Sequence, residues 1–371
     1  MPSNSRKRRR SSTGQRVGIV AVARLAGVST ATVSKILAGK ESAFAYSEGT
    51  IAKVKEAAKT LDYVPSFHAR SLVRRRTDTV ALILQYLYAP FHGELADQFL
   101  KTFAEAGMHV AVELVTPDED ATLRMLRSLR GGMVDAIFID PIHLAISAEQ
   151  FTSACAGAPL VSITRKVSES IPYLAYDFRD GAMRATSRLV ELGHHRIGFV
   201  GKCPEGEAWE GFVSALQAAG IAVNPDWSVY VDSYVPETGH EAGRRLAAMG
   251  KRPTAIFVAS DLLAMGVIRG LAEERCQVPE DIAVTSLDGV KLGAFFRPSL
   301  TTMAFPVEQL TQRALAMVRA IHDGRKDSLC ALSAIWQPGL VIRESCGALK
   351  SAGKCVVDPQ SMESKAGKPA I

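Results

Sequence analysis

The sequence predicts a small all-α helix-turn-helix module at the amino terminus, followed by a two-lobed α/β core of parallel sheets flanked by helices. Three observations carry this. Residues 19–38, IVAVARLAGVSTATVSKILA, place apolar residues at helical spacing on both sides of a glycine. From Thr79 onward short apolar runs alternate with helical stretches, the pattern of parallel βαβ units. A chain of 371 residues also exceeds what one hydrophobic core ordinarily supports, so more than one domain is expected.

Residues 1–16 (MPSNSRKRRRSSTGQR) lack apolar content and read as a disordered basic tail. Within 17–64, Ala23 is small enough for two helices to cross, Gly27 can take the positive φ of a tight turn, and Val28 and Val33 face inward. Ser29 caps the second helix, its oxygen accepting from the N–H of Ala31 or Thr32. Ser47 caps a third helix on which Ile51, Val54, Ala58 and Leu61 recur at helical spacing, and Tyr63 and Pro65 end it. Residues 65–78 read as a hinge containing PSFHARSL, too brief to sustain a helix unaided.

In 79–346 the strands VALILQYL, HVAVELV, VDAIFID and PLVSIT alternate with helices near 93–106 and 119–130. A second set begins near Tyr176: a helix over about 181–192, then RIGFVG, EGFVSALQAAG, VYVDSY, TAIFVAS, LLAMGVIRGLAEE and IAVTSLD. Residues 303–322 read as helix and 334–345 as a last strand, and 347–371 as a flexible tail with no apolar heptads for a coiled coil. Open parallel sheets bind ligands at the carboxyl ends of their strands, so two facing lobes define a cleft.

Charge is divided unevenly. Residues 1–76 hold 16 Lys+Arg against 4 Asp+Glu, and the remainder 28 against 34, an asymmetry expected when one module meets a polyanion. A solvated tail with no partner is the plainer reading of residues 1–16. The longest apolar runs are strand-sized, no signal peptide follows the basic start, and no membrane association is expected; a cytoplasmic protein is. Six scattered cysteines without a C-x-x-C pair indicate neither a zinc site nor a disulfide framework. The adjacent His194 and His195 point in different directions on any regular element and read as a turn pair, so no metal is expected. No nucleophile elbow, phosphate loop or dinucleotide fingerprint supports an enzyme, and no cofactor is expected.

The strings VARLAGVSTATVSKIL, LDYVP, HARSL, GHHRIGFVG, EGFVSAL, SDLLAMG, VPEDIAV, RPSLTT and GLVIRES stand in this order over residues 17–346. In them the chain resembles the lactose/galactose repressor (LacI/GalR) family of bacterial transcription regulators. The resemblance implies a periplasmic-binding-protein-like core with lobe 1 at about 79–175 and 303–332, and lobe 2 at about 176–302 and 333–346. It implies a cytoplasmic, nucleoid-associated homodimer on a palindromic double-stranded operator, its affinity set by a small-molecule effector, a sugar or related metabolite, between the lobes.

For DNA the resemblance implies Ser29, Thr30, Ala31, Thr32 and Lys35 at the start of the second helix, with Ala69, Arg70 and Leu72 in the hinge. Lys35 can donate to guanine O6 and N7, Ala31 offers a methyl to thymine, and Leu72 would wedge between base pairs from the minor groove. The plainer alternatives are a second capping hydroxyl for Thr30 and core packing for Leu72. The hinge is expected to fold only on DNA. For the effector the resemblance implies Phe91, Arg165, Asp177, Tyr234, Asp261 and Asp288, with Asp261 also readable as a turn cap. Three departures stand out: Ala208 where the family commonly has arginine, Ser260 where it has asparagine, and Phe178 where asparagine is common. They leave open a DNA-binding regulator with a degenerate effector site. A stand-alone solute-binding protein, the other alternative, would lack the headpiece and carry an export signal.

Overall fold

The protein, described by a computed structural model, divides into two compact units, one up to Thr77 and one from Asp78. The structure describes residues 18–37, 46–63, 76–115, 118–130, 132–141, 146–202, 206–348 and 356–357. The expected basic tail, the hinge positions Ala69, Arg70 and Leu72, and most of 347–371 lie outside them.

The first unit holds α1 (Ile19–Ala26), α2 (Thr30–Leu37) and α3 (Glu48–Thr60). Gly27 ends α1 at φ 68°, which a side chain would disfavour, and the Val28 N–H donates to the Ala23 carbonyl at 3.0 Å. The axis turns by 101° from α1 to α2. Val22, Ala23, Val33, Ile36, Val54, Ala57 and Ala58 are buried together, with Val28, Ile51 and Leu61 packed around them, so the apolar spacing became the core. Ser47 accepts from the Thr50 N–H at 3.3 Å and starts α3.

The second unit has two sheets. Lobe 1 carries β1 (Thr79–Leu84), α4 (Pro90–Glu105), β2 (His109–Leu114), α5 (Glu119–Ser128), β3 (Ala136–Ile139), α6 (Ala148–Ala154), β4 (Leu160–Thr164) and β5 (Tyr173–Tyr176). Lobe 2 carries α7 (Phe178–Glu191), β6 (Ile197–Gly201), α8 (Glu207–Ala218), β7 (Ser228–Tyr230), α9 (Pro236–Ala247), β8 (Ala255–Val258), α10 (Asp261–Glu273), β9 (Ala283–Asp288) and β10 (Thr301–Ala304). Then follow α11 (Val307–His322), β11 (Ala334–Trp336), β12 (Gly339–Ile342) and β13 (Val356–Val357). The first sheet runs β11-β5-β4-β3-β1-β2 with every pair parallel. The second runs β13-β12-β10-β9-β8-β6-β7, antiparallel only at β10–β12 and β12–β13. Strands such as AIFI in β3 and AIFV in β8 are buried throughout, as strands covered on both faces must be.

The chain crosses between the sheets three times: after β5, after β10 and between β11 and β12. This moves the expected lobe boundaries. Thr301–Ala304 stays in the second sheet, so the return to lobe 1 does not begin at 303, and the helix expected from 303 begins at Val307. Ala334–Trp336 pairs with β5 in the first sheet, so 333–346 does not belong wholly to lobe 2. The single strand expected over 334–345 is two strands in different sheets, parted at Gln337–Pro338 where proline cannot donate to a ladder. Val356–Val357 pairs with β12, within a stretch expected to be flexible throughout. Each crossing carries an aromatic ring. Tyr176 stacks on Phe305 at 4.4 Å between centroids, Phe305 lies 4.8 Å from Phe178, and Trp336 and Phe91 lie 6.4 and 6.2 Å from Tyr176.

Candidate DNA-reading face and effector cleft

In the first unit, Val33 and Ile36 turn one side of α2 into the core and leave Thr30, Ala31 and Lys35 exposed on the other. Ala31 and Lys35, four residues apart, share a face. Ser29 Oγ accepts from the Thr32 N–H at 3.1 Å and lies 2.9 Å from the Thr32 hydroxyl. Ser29 and Thr32 therefore form the cap of the helix, with Thr32 half-buried, while Thr30 is uncommitted to that cap.

In the second unit, tight geometry at strand ends aims the cleft residues. Thr164, at φ 64°, closes a turn in which the Arg165 N–H donates to the Ile163 carbonyl at 2.7 Å. That turn sends Arg165 out of the sheet. Its guanidinium lies 4.2 Å over the Phe178 ring and pairs with Glu207 at the start of α8, bridging lobe 1 to lobe 2. Burial pushes the Glu207 carboxyl up, against the pull of Arg165 and with Asp177 and Glu210 adding repulsion. Tyr234 accepts from the Lys202 N–H at 3.3 Å, and burial lowers the Lys202 amine despite Asp232. Asp288, at φ 126°, is raised by burial and by Asp261 while Arg165 opposes the shift. Arg165 acts electrostatically on Glu207, Lys202, Tyr234 and Asp288, so these side chains form one cluster. A second bridge stands beside it: Glu94 of α4 accepts from the Lys291 N–H at 2.9 Å.

The structure sorts the six effector positions. Arg165, Asp177, Tyr234 and Asp288 come together. Asp177 also caps α7, accepting from the Asp180 N–H at 2.9 Å. Phe91 is buried among the crossing aromatics. Asp261 is wholly buried, its oxygens accepting from Ser286 at 2.5 Å, Thr302 at 2.6 Å and the Val290 N–H at 2.8 Å. This is a tie between α10, β9 and β10, the capping alternative. Ser260 caps α10 through the Leu263 N–H at 3.2 Å, and Ala208 packs against the core. Sequence reasoning missed Glu207 and Lys202, which nothing local to their strings marks as facing Arg165.

No single helix among the described residues is long and apolar enough to cross a membrane. Cys155, Cys276, Cys330 and Cys346 are free thiols; Cys203 and Cys355 lie outside the described residues. His194 Nδ1 lies 3.1 Å from the Thr254 hydroxyl, a partner within its own lobe. One group of metal-capable side chains exists among the described residues, Asp78, Asp135 and His322, in which His322 Nε2 lies 2.8 Å from Asp135 Oδ2 and joins α11 to the start of β3.

Known proteins align with both units. Residues 19–66 match the model of bacterial regulatory proteins of the lacI family, and 186–346 match a periplasmic binding protein-like domain. The ribose operon repressor of Escherichia coli K12 is 32% identical over 299 residues, covering 79% of this chain and 89% of that one. The repressor PurR of Mannheimia succiniciproducens is 28% identical over 331 residues, covering 87% and 97%. A lac repressor dimer bound to operator and the anti-inducer ONPF superposes with a TM-score of 0.78 at 22% identity, covering 90% and 99%. The transcriptional regulator CelR in its cellobiose complex gives 0.61 at 27%, covering 89% and 100%. With a relative at this identity over most of both chains, and with a helix-turn-helix ahead of two lobes, the chain belongs to the lacI family of bacterial regulatory proteins, DNA-binding repressors of transcription.

Proposed function

We propose that a small molecule, a sugar or related metabolite, binds between the two lobes of this repressor and sets its operator affinity. The observation that carries the reading is the cluster around Arg165, where a lobe 1 cation meets Glu207 and Asp288 of lobe 2. A ligand entering there changes the free energy of the closed arrangement relative to the open one, and only that difference can reach the DNA. Arg165 on its Phe178 shelf supplies the planar donor that Ala208 lacks, which supports a working pocket over a degenerate one. A relative whose structure is a complex with cellobiose supports a sugar-like ligand.

On DNA, Thr30, Ala31 and Lys35 read base edges, while Ser29 and Thr32 hold the helix start. Ala69 and Leu72 of the hinge are assigned to the minor groove, and Arg70 to a backbone phosphate, by position in the sequence. One headpiece covers a half-site, so a homodimer on a palindrome is the working form, in the cytoplasm on the nucleoid. Footprinting of bound genomic DNA, followed by retardation assays with metabolites of the neighbouring genes, tests this. A symmetric footprint released or tightened by one metabolite is expected. Binding to DNA that no metabolite alters, with Arg165→Ala indistinguishable from wild type, would remove the effector half of the reading.

A further inference from the structure

The carboxyl edge of the first sheet holds a second polar group, separate from the Arg165 cluster. His92, in the first turn of α4, places Nε2 at 2.9 Å from Asp140 Oδ2, and the Thr164 hydroxyl donates to Asp140 Oδ1 at 2.7 Å. Asp140 is wholly buried at the end of β3, Thr164 ends β4 and Tyr176 ends β5. Two buried atoms here have no hydrogen-bond partner among the described residues: His92 Nδ1 and Tyr176 Oη. His92 is 8% exposed and Tyr176 2%. A buried polar atom left unpaired is costly, and one such atom on each of two neighbouring elements at a ligand-binding edge points to an occupant.

The network fixes what that occupant must offer. An ionised carboxylate only accepts, so the Nε2 facing Asp140 carries the proton, and with no acceptor for a second proton among the described residues Nδ1 is assigned as a bare acceptor. An acceptor needs a donor. The Tyr176 phenol can donate or accept, and it can complete the contact from the other side. An anionic oxygen set against Nδ1 would place lone pair against lone pair with the Asp140 carboxylate behind the ring, so an anion at this position is disfavoured.

Resting on the cleft reading above, we infer that the effector is a neutral, hydroxyl-bearing molecule that donates to His92 Nδ1, and that its carboxylated or phosphorylated counterparts are refused. His92 is thereby a specificity-determining residue. The Phe91 and Tyr86 rings, 5.5 and 6.3 Å from the imidazole, hold its plane.

The experiment uses the full-length protein with matched probes: D-ribose, D-glucose and cellobiose against ribose 5-phosphate, glucose 6-phosphate and gluconate. Calorimetric titration and thermal shift are run on wild type, His92→Gln and His92→Asn. Glutamine keeps a donor near Asp140 and removes the acceptor, whereas asparagine puts an acceptor near the Nδ1 position and gives up Asp140. A neutral probe is expected to bind, its charged counterpart not, with His92→Gln weakening affinity tenfold or more and His92→Asn recovering part of that loss. If a probe binds and alters operator retention but is indifferent to His92→Gln, or if an anionic counterpart binds as well as the neutral one, this inference fails while the cleft reading stands. If no probe binds and operator retention never changes, with crystals showing ordered water alone on His92 Nδ1, both fail.

Discussion

Single side chains divide between reading and holding. Lys35 stands exposed on the outer face of α2, a point charge able to donate to a guanine but without a guanidinium's fork. Lys35→Ala is expected to cost about 1–3 kcal/mol on the preferred operator and much less on random DNA, checked by competition binding at fixed salt. Asp261 is the opposite case. Its carboxylate satisfies Ser286, Thr302 and the Val290 N–H inside the lobe, so Asp261→Ala should lower stability by about 3 kcal/mol or more through stranded donors, read by denaturant unfolding. Burial raises its pKa from the ordinary 3.8 to about 6, although those three donors pull the other way. The folded protein therefore keeps a proton that the unfolded chain releases first. This contribution to stability is full below about pH 4 and is lost as pH climbs through about 6, and the fall should be absent in Asp261→Asn.

Elements are placed by how closely they can approach. The α9 and α10 helices touch backbone to backbone along two glycine pairs, Gly239 with Gly243 and Gly266 with Gly270. A Cβ on Gly266 would stand 1.9 Å from the Pro236 carbonyl oxygen, and one on Gly239 2.1 Å from that of Leu263. Neither carbonyl can yield without moving its helix. Gly266→Ala is expected to destabilise by about 2 kcal/mol or more, despite alanine's better helix propensity, and thermal unfolding decides the sign. On the surface of the same helix pair, the His240–Glu273 hydrogen bond and the Arg244–Glu274 ion pair are solvent-facing, and substituting them should change little.

At the scale of the whole second unit, three chain crossings joined by Tyr176, Phe178, Phe305 and Trp336 make a packed aromatic joint, and two polar bridges link the lobes. Such a joint can flex while the bridges choose a state. A half-exposed pair such as Arg165–Glu207 contributes about 1 kcal/mol, so Glu207→Gln should shift the open-to-closed ratio roughly fivefold. Small-angle scattering without ligand should then show a larger radius of gyration, and an unchanged profile would deny the bridge that role.

The helical headpiece, its caps at Ser29 and Ser47, the alternation of strands and helices and the exposed face of α2 were all legible in the sequence, because period, turn chemistry and capping act over a few residues. Arg165, Asp177, Tyr234 and Asp288 were reached by resemblance and found together. What lay beyond the string was which sheet each late strand joins, that Asp261 faces inward, and that Glu207 and His92 meet partners 42 and 48 residues away. Those facts depend on chain segments distant in sequence, and only packing brings them into one place.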